Sequence, residues 1–134
     1  MSTMQLDIVT PERKVYSEQV DMVIARAVEG DIGILPNHSP YVSPLAITAV
    51  RVKKDEEEFL VAVSGGFIEV RGGTVTVLAE TAELPDEIDV DRAEAAKKRA
   101  EERLADKQKE GIDFRRAEIA LMKAKNRLRV SQNG

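Results

Sequence analysis

The feature that most constrains this chain is a change of hydrophobic period between Leu84 and Ala93. Before this junction apolar residues alternate with polar ones, as they do in half-buried β-strands. After it they recur every third or fourth residue in an Ala-rich, highly charged segment, as on one face of an amphipathic helix. The pattern therefore predicts an all-β part over residues 1–84 and an α part over residues 85–134.

Short runs rich in β-branched residues and bounded by turn residues predict the strands of the all-β part. The predicted strands are Met4–Ile8, ended by Pro11, a second run over 20–27, and the runs 45–52, 59–63, 67–70 and 74–78. Because no helical pattern separates them, we expect an antiparallel β-sandwich or a flattened barrel.

Three turn signals organise these strands. Gly72-Gly73 predicts a tight hairpin turn, because consecutive glycines accept the positive φ that such turns require. Residues 55–58 predict a charged turn. Gly65-Gly66 lacks the Gly-Lys-Ser/Thr ending of a phosphate-binding loop, so a β-bulge or a strand corner is favoured there.

Residues 30–44 contain a glycine- and proline-rich segment that predicts a rigid, non-repeating loop. Ile32, Ile34 and Leu35 are too apolar for ordinary solvent exposure. Two explanations stay open: these side chains close one end of the sandwich, or they bind a partner surface.

The α part predicts two helices. Asp89 or Asp91 is expected to cap the first helix and Gly111 to end it, while Asp113 is expected to cap the second. The apolar face is Ala93, Ala96, Ala100 and Leu104 on the first helix, and Phe114, Ala117, Leu121, Ala124 and Leu128 on the second. The link through residues 110–112 is short enough for an antiparallel two-helix hairpin. Because Ala contributes little apolar area, we expect this hairpin to dock weakly and to be able to move.

Charge is unevenly distributed along the chain. The formal net charge is -4, but residues 113–134 hold six Lys or Arg against two Asp or Glu, a net charge of +4 that leaves -8 for the rest. Aromatic residues make up only 4% of the chain, so nucleic-acid stacking is poorly supported and an acidic protein surface is the better partner for the basic helix.

Several classes of site are disfavoured by the sequence. The absence of cysteine excludes disulfides and thiolate metal sites, calcium-loop spacing is absent, and we expect no metal site. No stretch approaches the length of apolar residues that a membrane span needs, and no secretory signal is evident, so an intracellular protein is expected.

Two candidate chemical groups remain. His38, the only histidine, lies near Asp31 and Ser39, but adjacent loop positions rarely form a catalytic triad, and a loop hydrogen bond or an interface contact is favoured. Arg92 lies in the first turn of the predicted helix. It could form a simple surface pair with Asp89, or it could face Lys123 or Arg127 across the hairpin and share an anionic ligand with them.

The combination of motifs resembles the epsilon subunits of bacterial F-type ATP synthases. The resemblance runs nearly end to end, through EGDIGILPNHSP at Glu29–Pro40, VSGGFIEV at Val63–Val70, VTVLAETA at Val75–Ala82 and IDVDRA at Ile88–Ala93. It implies a β-sandwich that binds the gamma subunit and the c-subunit ring, with Asp31 and His38 on the loop face that meets the rotor.

The resemblance also implies a regulatory role for the helices. In the family they either fold against the sandwich or extend along gamma into the catalytic head, where they block ATP hydrolysis and contact an acidic segment of the beta subunit. The residues implied in that contact are Arg115, Arg116, Lys123 and Arg127. In some bacterial members ATP binds the folded hairpin, and the matching residues are Glu83, Ile88, Asp89, Arg92, Ala93, Lys123 and Arg127. Lys123 stands where ATP-binding members usually have arginine.

These observations predict a noncatalytic central-stalk subunit of a proton-translocating F-type ATP synthase. It would couple gamma to the c ring, inhibit ATP hydrolysis through a mobile hairpin, and contact the alpha and beta subunits. We expect a peripheral position at the cytoplasmic face of the bacterial cell membrane, no required cofactor, and ATP as a regulatory ligand. The alternatives are a stand-alone nucleotide-sensing module and an enzyme built around His38.

Overall fold

The computed structural model describes residues 2–27, 29–106 and 113–133. It consists of an eight-stranded β part followed by two helices, which confirms the predicted fold class. The strands are β1 Met4–Val9, β2 Lys14–Val20, β3 Met22–Ala27, β4 Gly30–Ile34, β5 Tyr41–Pro44, β6 Thr48–Lys54, β7 Glu57–Arg71 and β8 Thr74–Glu83. A 3₁₀ turn at Pro85–Glu87 leads into α1 Val90–Ala105, and α2 is Phe114–Asn133.

The strands follow the order β2-β1-β8-β7-β6-β3-β4, and β5 pairs with β7 beside this path. The pairing of β1 with β8 is parallel, which the prediction of an antiparallel sandwich missed. The other pairings between these strands are antiparallel. Buried aliphatic side chains from both layers, including Leu6, Ile34, Val61 and Ile68, form the core between them.

Strand β7 turns the corner of the sandwich at Gly65-Gly66. Its first half pairs with β6 as far as Val63, and its second half pairs with β5 from Phe67 onward. The register with β8 has the same offset on both sides of Gly65, so the predicted strand corner is confirmed and the alternative of a bulge is wrong. Gly66 has a φ of 112°, and a Cβ there would lie 1.9 Å from the carbonyl oxygen of Leu78. Only glycine fits this crossing.

The hairpin turns are confirmed, while two strand predictions and one loop prediction are wrong. Gly72 and Gly73 connect β7 to β8 with positive φ, and a two-residue turn that begins at Asp55 connects β6 to β7. The runs 59–63 and 67–70 belong to one strand, and the run 20–27 is divided at Asp21 into β2 and β3. The segment predicted as a rigid loop contains β4 and β5. Glycine and proline have a low strand preference, so the sequence pattern gave no strand signal here. The two strands are stabilised by pairing with β3 and β7.

Tyr16 lies on β2 and packs against Phe59 with ring centroids 5.4 Å apart. Burial, together with the nearby Glu18 carboxylate, raises the pKa of Tyr16 to about 12. The folded chain therefore holds the phenol proton more tightly than the unfolded chain, whose pKa is about 10. The resulting stabilisation is fully present below pH 10 and is lost as pH rises toward 12.

We expect the ultraviolet titration of tyrosinate to show a phase near pH 12 that Tyr16→Phe removes. Circular dichroism recorded on the same samples separates this ionisation from alkaline unfolding. Identical titrations of the parent chain and the variant, with both still folded, would contradict the assignment.

Helix α2 packs on β6 and β7, and α1 packs on α2. The start of α1 lies near the end of α2, because Arg92 and Arg127 line one cleft, so the predicted antiparallel arrangement is confirmed. Helix α1 ends at Ala105. The predicted stop at Gly111 and the link 110–112 lie outside the described residues.

The predicted apolar faces are covered in part. Ala93, Ala100, Ala117, Ala124 and Leu128 are buried, and Ala96, Leu104 and Leu121 are half-buried. Phe114 is exposed, so its predicted place in the seam is wrong. It is the first residue of α2 and lies before the buried part of the stripe.

The hairpin docks on the sandwich through a small apolar cluster. This docking cluster consists of Leu60, Ala62, Ile88 and Val130, with Ala49 packed against it. Burying a Val, Leu or Ile side chain contributes about 1.5 to 3 kcal/mol, and alanine contributes much less. The apolar part of the contact between the hairpin and the sandwich is therefore small.

Candidate functional site

The junction between the sandwich and the hairpin is fixed by Glu87. Its carboxylate accepts a 2.9 Å hydrogen bond from the Leu84 backbone N–H and forms a 2.8 Å ion pair with the Arg13 guanidinium. The Arg13 hydrogen bond, helped by the Leu84 N–H, holds the pKa of Glu87 below its usual range. Arg13 lies between β1 and β2, so this pair anchors the 3₁₀ turn to the body of the sandwich.

Asp89 caps α1, as predicted. Its Oδ1 accepts a 3.0 Å hydrogen bond from the Arg92 backbone N–H. The alternative of a side-chain pair between Asp89 and Arg92 is wrong, because no ion pair within 4.0 Å joins them in the described part of the chain. The cap binds the backbone of Arg92 and leaves its guanidinium available for another partner.

Helix α2 is tied to the sandwich by two polar contacts near its end. Arg127 Nε donates a 2.5 Å hydrogen bond to Glu83 Oε1 at the end of β8. Asn126 Nδ2 donates a 2.8 Å hydrogen bond to the carbonyl oxygen of Thr48 at the start of β6. These contacts exist only while α2 is docked.

A cleft of about 260 Å³ lies where the junction, α1 and α2 meet. Its lining residues are Glu83, Glu87, Asp89, Arg92, Ala93 and Arg127. Five of the seven residues predicted to bind ATP are therefore together. Ile88 is buried in the docking cluster. Lys123 lines a neighbouring cavity of only about 10 Å³ beside Glu83, Asn126 and Arg127.

Three carboxylates line the cleft, and each of them already has a partner. Glu83 is paired with Arg127, Glu87 with Arg13, and Asp89 with a backbone N–H. Among the described residues no carboxylate forms an ion pair with the Arg92 guanidinium. An anionic group in this cleft could therefore bind Arg92 with two parallel hydrogen bonds.

Glu87 is the lining residue that the sequence prediction missed. A Glu three residues after a Leu is not a capping sequence, because that signal needs Ser, Thr, Asp or Asn at the first position. Its partner Arg13 is far away in sequence. No local pattern could have shown their contact.

Asp31 and His38 lie on the β3–β4 side of the sandwich. Asp31 is exposed on β4 and its Oδ1 lies 3.7 Å from Arg26 Nε. His38 Nδ1 lies 2.7 Å from the carbonyl oxygen of Ser39, and the ring packs edge-on to Tyr41 at 6.2 Å. Asp31 is engaged by Arg26 and His38 by its own loop, and this geometry provides no triad.

The basic residues predicted to contact a beta subunit divide into two groups. Arg115 and Arg116 are exposed at the start of α2, where the Arg116 N–H is capped by Asp113 at 3.0 Å. Lys123 and Arg127 are half-buried and face the sandwich. In the docked hairpin the first pair is exposed to solvent, and the second pair is exposed only in part.

An exposed apolar patch lies on strands β5, β7 and β8. Val42, Phe67 and Leu78 share one face, because Phe67 pairs with Leu78 and lies two residues from the partner of Val42. Their exposed fractions are 65%, 52% and 49%. Val9, Pro11, Phe67 and Leu78 line a groove of about 490 Å³ there. We call these five residues the outer apolar face.

Within the described residues, no cluster of three or more His, Asp or Glu has the geometry to hold a metal ion. The described helices also include none that is long and apolar enough to span a bilayer.

The structure is a β-sandwich that carries a docked two-helix hairpin, the architecture of a small two-domain subunit, with a cleft at the junction that Arg92 and Arg127 line. The β-sandwich domain of the ATP synthase delta/epsilon chain matches residues 3–85, and the long α-helix domain of that chain matches residues 86–132. The chain belongs to the ATP synthase delta/epsilon chain family and is an epsilon-type, noncatalytic subunit. The hypothesis of an enzyme built around His38 is therefore wrong.

Curated relatives match over nearly the whole chain. The ATP synthase epsilon chain of Halalkalibacterium halodurans is 56% identical over 131 residues, covering 98% of each chain. The epsilon chain of Alkalihalophilus pseudofirmus is 59% identical, again over 98% of both chains.

Solved structures show the same fold. A chain of the Euglena gracilis mitochondrial ATP synthase OSCP/F1/c-ring structure aligns with a TM-score of 0.81 and 24% identity, covering 98% of this chain and 82% of the other. A chain of the Tetrahymena thermophila mitochondrial ATP synthase central stalk/c-ring structure aligns with a TM-score of 0.52 and 16% identity, covering 98% and 95%.

Proposed function

We propose that this chain is the central-stalk subunit that couples gamma to the c ring of a proton-translocating F-type ATP synthase. The subunit works as a peripheral component at the cytoplasmic face of the bacterial cell membrane. Its family membership and the c-ring assemblies that contain similarly folded chains support this role. The outer apolar face is the surface for gamma, and the loop side with Asp31 and His38 faces the rotor ring.

The hairpin supplies regulation. The docking cluster is small, and the polar contacts of Arg127 and Asn126 are few, so α2 can leave the sandwich at modest cost. On release, Lys123 and Arg127 join Arg115 and Arg116 as exposed cations on one helix. Such a helix suits an acidic segment of the beta subunit, where it would block ATP hydrolysis beside the alpha and beta subunits.

ATP is the ligand that holds the hairpin docked, and no cofactor is required. The observation that carries this proposal is that Arg92 of α1 and Arg127 of α2 line the same cleft. Among the described residues, the Arg92 guanidinium forms no ion pair. A triphosphate bound to both arginines bridges α1, α2 and the junction. Undocking separates these residues, so ATP binds the docked state more tightly than the undocked state. The equilibrium shifts toward the docked state by an amount set by this difference in affinity.

Replacing Arg92 with Ala should weaken ATP binding by about tenfold or more, since a charge-assisted bidentate contact is lost. Isothermal titration calorimetry of ATP into the full chain measures this change. Arg71→Ala is the matched control, because it removes the same charge from an exposed position outside the cleft. Arg71 and Glu83 lie at opposite ends of the β7–β8 pairing. The control should bind ATP like the parent.

Equal ATP affinity in the parent and in Arg92→Ala would remove Arg92 from the site. If neither chain gives heat or saturation with ATP, the ligand proposal fails while the inhibitory role of the hairpin can still be tested. Circular dichroism of each variant shows that the helices are retained, so a loss of binding can be assigned to the missing guanidinium.

A further inference from the structure

The 3₁₀ turn Pro85–Glu87 connects the sandwich to the hairpin and is contacted from both parts. Strand β7 and helix α2 each pack against it. Ile88 follows the turn directly and is buried in the docking cluster together with Val130 of α2. The turn and the docked helix are therefore joined through one cluster, so a contact that fixes the turn also favours the docked hairpin.

The two carboxylate oxygens of Glu87 bind different partners. Oε1 accepts a 2.9 Å hydrogen bond from the Leu84 N–H, a contact within the turn itself. Oε2 lies 2.8 Å from Nη2 of Arg13, a residue of the sandwich. A contact of this length between charged groups is stronger than a hydrogen bond between neutral ones. The Arg13 contact is therefore the one that fastens the turn to a distant part of the chain.

Arg13 extends from a well-defined backbone position between β1 and β2. The Thr10 N–H donates a 2.9 Å hydrogen bond to the Arg13 carbonyl oxygen, and the Arg13 N–H donates a 3.3 Å hydrogen bond to Thr10 Oγ1. Pro11, inside this closed turn, has a fixed φ and limits its movement further. The guanidinium that Glu87 meets is thus held at a fixed place on the sandwich.

We propose that Arg13 is a positioning residue for the hairpin, which acts through Glu87 to keep the 3₁₀ turn in its docked geometry. This role rests on the proposed release of the hairpin and adds a residue of the sandwich that adjusts it. Solvent limits the size of the effect, because the side chains of Arg13 and Glu87 are 47% and 32% exposed. Loss of such a pair changes an equilibrium by about threefold, so the hairpin should dock less often without ceasing to dock.

The test measures how often the hairpin leaves the sandwich in the full chain. The chain has no cysteine, so Ala62→Cys introduces a single thiol, at a position buried in the docking cluster. When redocking is fast, the rate at which a thiol reagent labels this position is proportional to the undocked fraction. We expect Arg13→Gln to raise the labelling rate about threefold.

Glu87→Gln tests the other side of the same contact. The amide retains an oxygen for the Leu84 N–H and loses the charge that Arg13 meets, so the labelling rate should again rise about threefold. The chain with both Arg13→Gln and Glu87→Gln should be labelled no faster than either single variant, because one interaction is lost in all three. Arg13→Lys retains the charge and should recover part of the docking.

Two further chains are the controls. Arg26→Gln removes an exposed guanidinium that pairs with Asp31 elsewhere on the sandwich, and it should leave the labelling rate unchanged. Ala25→Cys, used in place of Ala62→Cys, puts the thiol in the core of the sandwich, where labelling requires the sandwich itself to open. Its labelling rate should be the same with and without Arg13→Gln.

An unchanged labelling rate at position 62 in Arg13→Gln would overturn the role of Arg13 and leave release of the hairpin standing. Additive effects of the two substitutions would also overturn it, since Arg13 and Glu87 would then act separately. Equal acceleration at position 25 would assign the change to unfolding of the sandwich and reject the proposal. If the thiol at position 62 is never labelled in any of these chains, both this proposal and the release of the hairpin are wrong.

Discussion

Replacing Phe67 with Asp should weaken binding of the gamma subunit by about 100-fold, because hot-spot contacts of this kind contribute about 2 to 4 kcal/mol and the variant adds a charge to an apolar contact. Phe67 is half exposed at the centre of the outer apolar face, and its cross-strand partner Leu78 is exposed to the same extent. Exposed apolar patches of this kind mark protein interaction surfaces. Surface plasmon resonance with immobilised gamma measures the effect.

Leu35→Asp is the matched control for this experiment. Leu35 is about as exposed as Phe67, but it follows β4 on the loop side that is proposed to face the rotor ring, and it is not part of the outer apolar face. Its replacement should leave gamma binding within about threefold of the parent, as expected for a residue outside the contact. Equal loss in both variants would indicate a nonspecific charge effect. If the parent chain binds ATP but never gamma, the alternative of a stand-alone nucleotide-sensing module replaces the stalk assignment.

How far the fold could be predicted depended on whether its determinants are local. The change of period at Leu84 predicted the two-part architecture, and Gly72-Gly73 predicted the hairpin turn because both depend on neighbouring residues. The parallel pairing of β1 with β8 joins strands from opposite ends of the sandwich, and no local pattern encodes it. β4 and β5 were missed because tertiary pairing with β3 and β7 overrides the low strand preference of Gly and Pro.

In the candidate site, too, the contacts with local determinants were predictable and the contacts between distant residues were not. The caps formed by Asp89 and Asp113 were predictable, since each acts on an N–H three residues away. The Arg13–Glu87 ion pair was not, because it joins residues that only the sandwich brings together. The Glu83–Arg127 pair was anticipated through the family resemblance and not from spacing. Lys123 entered the predicted site on the same basis, but its side chain lines the adjacent small cavity.

Deleting residues 89–134 should raise ATP hydrolysis by the assembled enzyme severalfold while leaving ATP synthase assembly intact. The sandwich core, the outer apolar face and the loop side all lie within the strands, so the contacts proposed for gamma and the c ring are retained. The deletion removes α1 and α2, which carry the proposed inhibitory helix. ATPase assays of complexes reconstituted with the parent or the truncated chain, at equal subunit occupancy, measure the change.

Val130→Asp tests α2 in the opposite way: the deletion removes this helix, whereas the substitution should release it from the sandwich. Val130 is fully buried in the docking cluster, and a carboxylate there would have no water, so the undocked hairpin becomes favoured by several kcal/mol. If the undocked helices inhibit, this variant should lower hydrolysis below that of the parent, whereas the deletion raises it. A deletion without effect, or two variants that change hydrolysis in the same direction, would contradict regulation by release of the hairpin, because one change removes the inhibitory helix and the other liberates it.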